Sequence, residues 1–137
     1  MAHWLVKSEP FKWSWEMQAK AKVTHWDGVR NHQAAANLRA MKKGERCFFY
    51  HSNEGKEIVG IVEVAKPAYP DPSDETGKFV MVDVKAVMPL KTPVTLAQMK
   101  DDPALKNMAL IKQSRLSVCP VSDAEWKHIC TLGGVKP

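Results

Sequence analysis

The sequence predicts an α+β fold: a strongly bent sheet or partial barrel, decorated by four or five short helices. Three observations lead there. After Gly44 the pattern turns to β-branched and aromatic runs, RCFFYHS at 46–52, EIVGIVEVA at 57–65 and KFVMVDVKAV at 78–87. On either side of these runs lie short segments with helix start and stop signals. The chain has 137 residues and 45% hydrophobic content, enough for one packed core and too little for two, so a single domain over 1–137 is expected.

Taken in order, Ala2 to Val6 form an apolar run that ends at Lys7-Ser8-Glu9-Pro10, which suits a first strand entering a loop. Ser14 is placed to cap a short helix through Ala21. WDGVRN at 26–31 reads as a loop, with Asp27-Gly28 as its turn signal. Asn31 stands where the next helix needs its N-cap. Ala34, Ala35, Leu38 and Met41 recur at helical spacing and Gly44 follows as a stop, so that helix should cover about 32–42.

Ser52-Asn53-Glu54-Gly55 marks a hairpin turn between the first two of the three central strands. Lys66 to Gly77, with Pro67, Pro70 and Pro72, reads as a longer irregular connection. In the third strand Val80, Val82 and Val84 alternate with Asp83 and Lys85, as a sheet with one wet face requires. Thr95 with Gln98 and Ser122 with Glu125 have capping-box spacing, and each box has an apolar staple pair, Val94 with Met99 and Val121 with Trp126. Asp102-Pro103 starts a further turn of helix, and Pro120 keeps the end of LIKQSRLSVCPV, 110–121, extended.

Twenty basic against fifteen acidic residues give a formal charge of +5, a mild bias towards an anionic partner. Cys47, Cys119 and Cys130 are odd in number and far apart, without paired C-x-x-C spacing, and read as reduced thiols. The N-terminus lacks a leader pattern, and no stretch approaches the ~20 apolar residues of a membrane span, so a cytoplasmic location is expected. G-x-S-x-G, H-E-x-x-H, G-x-x-x-x-G-K and G-x-G-x-x-G are all missing, which argues against common enzyme classes. No catalytic residue, metal or cofactor is assigned. Cys47 and His51, the nearest approach to a nucleophile and base, would lie roughly 13 Å apart along one strand.

What remains is a set of polar residues at strand ends: KSEP at 7–10, WDGVRN at 26–31, YHS at 50–52 and QSRLS at 113–117. Trp26 suits either half-buried core or a stacking face. Arg30 and Arg115 suit ion pairs, with Glu9 for example, or forked donors to phosphate or a base edge. Asn31 suits a helix cap or a donor into a pocket. Aromatic walls, amides, hydroxyls and forked donors together are what a protein needs to hold one flat heterocycle.

The blocks HWLVKSEP, THWDGVRNHQAAANLRAM, FYHSN, GIVEV, YPDP, PVTL and RLSVCPV, in that order along nearly the whole chain, closely resemble the EVE domains, members of the PUA-like group that also includes the YTH domains. The resemblance implies a PUA-like bent mixed sheet or pseudo-barrel with short peripheral helices. It also implies a non-catalytic reader that takes a flipped-out modified base, a modified cytosine by preference, from DNA or RNA; a monomer or weak homodimer is expected because no exposed apolar helix face demands a dimer. Carried over by motif, the pocket would comprise Lys7, Ser8 and Glu9; Trp26 and Asn31; Tyr50, His51 and Ser52; and Ser114, Arg115 and Ser117, with Arg30 added as a candidate from its place in the same loop. Within it Trp26 would be the stacking wall, with Tyr50 or Trp4 as aromatic partners. Asn31 and Ser52 would meet the base edge, Arg115 with Lys7 the neighbouring phosphate, and Arg30 would be a brace or a donor. The alternative is an enzyme acting on a modified nucleotide or nucleobase in the same pocket, with Glu9 or His51 as general acid or base.

Overall fold

The computed structural model describes all residues from Met1 to Pro137. Six strands, β1 (His3–Ser8), β2 (Val23–Trp26), β3 (Arg46–His51), β4 (Glu57–Pro70), β5 (Val80–Thr95) and β6 (Val118–Val121), form one sheet in the order β2-β5-β4-β3-β1-β6. β1 runs parallel to β3, and every other pair is antiparallel. Five short helices surround it: α1 (Trp15–Ala21), α2 (His32–Ala40), α3 (Leu96–Asp101), α4 (Ala109–Lys112) and α5 (Asp123–Gly133), with a 3-10 turn at Pro103–Leu105. The fold is the α+β, PUA-like one expected.

The curl of the sheet positions everything else. β4 and β5 run for 14 and 16 residues, and their ladder shifts register between Ile58 and Gly60, Ile61 and Val62, Val64 and Lys66, and Lys66 and Tyr69. Each such irregularity bends a strand and increases its twist. In a flat sheet β2 and β3, three steps apart, would be separated by roughly 14 Å. Here the indole of Trp26 on β2 meets the ring of Phe49 on β3 edge-on, with centroids 5.6 Å apart at 82°. Phe49 also packs edge-on against Trp15, at 5.5 Å and 70°. Gly60 lies opposite Phe49 in the ladder, and a Cβ there would come within 2.6 Å of the Trp15 ring. Only glycine lets that indole lie against the strand.

Two readings of the sequence need correction. Residues 66–77 are not wholly irregular: β4 continues through Pro67 to Pro70. Pro67 falls inside the Lys66–Tyr69 register break, where the ladder needs no amide donor. WDGVRN is not all loop either, because Trp26 ends a strand. Val23 to Trp26 has one buried residue in four, and so lacks the alternation that reveals a strand.

The capping signals hold in detail. Ser14 accepts from the Met17 amide, and both boxes, Thr95 with Gln98 and Ser122 with Glu125, form reciprocally. Val94, Met99, Val121 and Trp126 are all buried. α2 ends at Ala40 with Met41 as its C-cap, short of Gly44. The three cysteines are free and buried, and burial pushes the Cys119 and Cys130 thiols up to about 11. No helix is long and apolar enough to cross a membrane.

Gly60→Ala should force Trp15 off Phe49 and lower stability by about 1–3 kcal/mol. Urea unfolding would read this as a lower midpoint at unchanged slope. An unchanged midpoint would mean that the sheet tolerates the methyl group.

Candidate functional site

Two clamped segments face each other across the mouth of the curl. On one side, the chain leaving β1 turns at Glu9, whose carbonyl accepts from the Lys12 and Trp13 amides, both at 2.9 Å. The Ser8 hydroxyl donates to the Trp13 carbonyl. Trp13 Nε1 donates to Gln18 Oε1 at 2.8 Å, and the fully buried Gln18 donates in turn to the Lys22 carbonyl. The Trp13 indole is thereby oriented from below.

On the other side, β2 delivers Trp26 into the bend at Asp27-Gly28, where Gly28 adopts a φ of +76°. A buried carboxylate holds that bend. Asp71 accepts from the Gly28 amide at 2.9 Å and from Arg30 Nη1 at 3.1 Å, while Arg30 Nη2 donates to Ser73 Oγ at 2.9 Å and its guanidinium lies over the Phe79 ring. Burial alone would push the Asp71 carboxyl up, but hydrogen bonds from Ser73, Gly28 and Arg30 outweigh it and hold the pKa at about 2.

Between the two segments lies a cavity of about 450 Å³, lined by Lys7, Ser8, Glu9, Lys12 and Trp13, by residues 24–30, and by Ser117. A second cavity of about 520 Å³ shares Lys7, Glu9 and Ser117 and continues along Tyr50, Ser52, Asn53, Lys56, Lys100, Ser114 and Arg115. Both fall within the range of about 300–1,000 Å³ typical of small-ligand sites. The second carries four cations, Lys7, Lys56, Lys100 and Arg115, against the single carboxylate of Glu9. Lys7 stands between the two. Its ammonium donates to the Ser114 carbonyl at 2.8 Å, and partial burial lowers its pKa despite an opposing influence from Cys119.

Six of the twelve residues singled out in the sequence line the first cavity: Lys7, Ser8, Glu9, Trp26, Arg30 and Ser117. Tyr50, Ser52, Ser114 and Arg115 line the second instead. Asn31 borders neither of them; its Oδ1 caps α2 by accepting from the Ala34 amide at 2.9 Å, and the residue edges a separate shallow depression with Gln33 and Arg115. His51 also lies outside both. Its Nε2 accepts from the Trp15 amide at 3.0 Å, and burial lowers its pKa against the nearby Glu57 and Glu16, so its accessible lone pair is already engaged. Arg30 is the brace beneath the wall, paired with Asp71 rather than Glu9, whose own partner is Lys12 at 3.5 Å. Trp4 is buried elsewhere and donates to Glu45.

Three features escaped the sequence reading. Trp13 joins Trp26 on the cavity wall, and its only sequence signal is an aromatic just before the Ser14 cap. Asp71, in YPDP, organises the bend from 43 residues away from Gly28. Lys56 and Lys100 complete the basic side from a hairpin and a helix.

A curled mixed sheet whose strand ends frame a polar cavity walled by two indoles is a PUA-like binding module. The EVE domain family model matches residues 2–132, and the chain belongs to the EVE domain family. It is 38% identical to human thymocyte nuclear protein 1 across 99% of this chain and 76% of the human protein. The structure of that human protein in complex with DNA containing 5-methylcytosine superposes with a TM-score of 0.89 over the full length of both chains. A Rhodopseudomonas palustris protein is 60% identical over 98% of this chain and 94% of its own, with a TM-score of 0.92. An Agrobacterium tumefaciens protein is 48% identical over the same shares, with a TM-score of 0.96. The Zymomonas mobilis ASCH protein, at 12% identity and a TM-score of 0.55, shares the fold.

Two outcomes test this geometry. Asn31→Ala should cost about 1 kcal/mol of stability through the lost cap. It should leave ligand preference unchanged, and a changed preference would return Asn31 to the pocket. Asp71 ionises at about 2 when folded against an ordinary 3.8, so its contribution is complete above pH 3.8 and is lost as the pH falls through 2. The acid limb of a stability–pH profile should therefore flatten in Asp71→Asn, and an unaltered limb would contradict the clamp.

Proposed function

We propose that this protein is a non-catalytic reader of a modified cytosine in DNA, holding the flipped-out base in the cavity between Trp13 and Trp26. The observation that carries the reading is that cavity. It sets the Trp13 indole and the rim of the largely buried Trp26 indole among polar and charged side chains, which is the chemistry that grips a single base by face and edge. Its kinship with a human protein solved in complex with 5-methylcytosine-containing DNA points to the ligand class.

In this reading Trp26 and Trp13 supply the stacking faces, while Ser8, Glu9 and Thr24 meet the base edge. The basic second cavity follows the phosphates of the adjoining strand, with Arg115, Lys7, Lys56 and Lys100 as donors and Tyr50, Ser52, Ser114 and Ser117 as its polar lining. Nothing favours the enzyme alternative: His51, one of its two candidate acid–base groups, accepts from the Trp15 amide and lies outside both cavities. DNA is favoured over RNA on the same kinship. Free thiols suit a reducing compartment such as the cytoplasm.

The test is binding to short DNA and RNA strands that differ only in one base, unmodified or variously modified, at two salt concentrations. Modified cytosine in DNA should bind most tightly, and affinity should fall as salt rises. Trp13→Ala should reduce the preference roughly tenfold while the protein stays folded. Lys100→Ala should weaken modified and unmodified strands alike. Equal binding of every base by the wild type would remove the proposal.

A further inference from the structure

Phe11 has no role in either cavity, yet it is held beside the first. Four large apolar side chains are prominently exposed, Met1, Phe11, Met17 and Val23, and Phe11 is the aromatic one, with 63% of its surface in solvent. It stands at the apex of the turn Glu9-Pro10-Phe11-Lys12, closed by the Lys12 amide donating to the Glu9 carbonyl at 2.9 Å. Pro10 fixes one corner of that turn. The Trp13 amide and the Ser8 hydroxyl fasten its base, and the Glu9–Lys12 ion pair spans it. The ring is therefore presented by a rigid support. Glu9, Lys12 and Trp13, which flank it in the chain, all line the cavity, so Phe11 stands on the rim. The Lys12 ammonium lies 5.9 Å from its ring centroid, which adds positive charge at the same point.

A base drawn from a duplex leaves a gap in the stack and an orphaned partner opposite. Proteins that distort DNA fill such gaps with apolar wedges. We propose that Phe11 is the wedge: as the cavity takes the modified base, the Phe11 ring enters the duplex at the vacated step and stacks on the neighbouring bases, with Lys12 beside a phosphate. This rests on the cavity being a base site. Because the turn is already rigid, little conformational entropy is lost when the ring inserts.

The experiment uses one modified cytosine in three settings: a fully paired duplex, the same duplex with an abasic site opposite the modified base, and the single strand. Each is titrated with wild type, Phe11→Ala and Phe11→Trp. Phe11→Ala should lose about tenfold in affinity for the paired duplex and less than about twofold for the single strand, and Phe11→Trp should restore duplex binding. Tryptophan quenching of Phe11→Trp in excess of that of the wild type, which already has five tryptophans, should be large with duplex and small with single strand. Equal loss on all three substrates, or none on the paired duplex, overturns the wedge and leaves the cavity reading intact. Wild-type indifference to the modification on all three overturns the cavity reading and the wedge with it.

Discussion

The contact between Trp26 and Phe49 is the one on which the site depends. It joins side chains from strands three places apart in the sheet, and it can form only because the β4–β5 ladder bends at its repeated register shifts. Remove the bend and β2 swings away from β1, so the two walls of the cavity no longer face each other. Gly60 and Trp15 hold the inner side of that curve, where a strand without a side chain lets an indole lie flat against it. Fold and site are thus one packing problem, solved by three aromatic rings and a glycine.

Electrostatics then fixes what packing brings near. The Asp71 carboxylate is buried, ionised and fully engaged, and it converts a flexible Asp-Gly turn into a fixed wall through the Gly28 amide and the Arg30 guanidinium. The facing turn is fixed differently, by neutral hydrogen bonds running from Glu9 and Ser8 through Trp13 to Gln18. Both walls are set before any ligand arrives. Such preorganisation lowers the ordering cost of binding and favours shape selection over adaptive fit.

The two cavities divide their chemistry along Lys7. One side sets two indoles among polar groups of both signs, Lys7, Lys12 and Arg30 with Glu9 and Asp27, and the other offers four cations with a single opposing carboxylate. A nucleic-acid strand has the same division between flat, uncharged bases and an anionic backbone. In the role proposed for this EVE domain, affinity would come mostly from the basic side and discrimination from the side between the indoles. A rigid aromatic at the rim would make extrusion from a duplex less costly.

Much of this was legible in the residues. Helix caps at Ser14, Asn31, Thr95 and Ser122 depend on neighbours within one turn, and the β-branched runs after Gly44 depend on local alternation, so both could be read directly. The ordered motifs identified the family, and ten of the twelve candidate residues they marked line two adjoining cavities. Asn31 and His51 border neither cavity: the Asn31 cap was legible within its own turn, whereas the bond from the Trp15 amide to His51 joins residues 36 apart and is set only by the backbone path.

What the sequence by itself determined is the fold class, the capped helices and the segments that meet at the strand ends. The tertiary structure alone decided that Trp13 joins Trp26, that Asp71 rather than Glu9 receives Arg30, and that the polar residues separate into two cavities. Those outcomes turn on contacts between residues distant in the chain, and the curvature that creates the contacts arises from irregularities in a ladder, which no local spacing encodes.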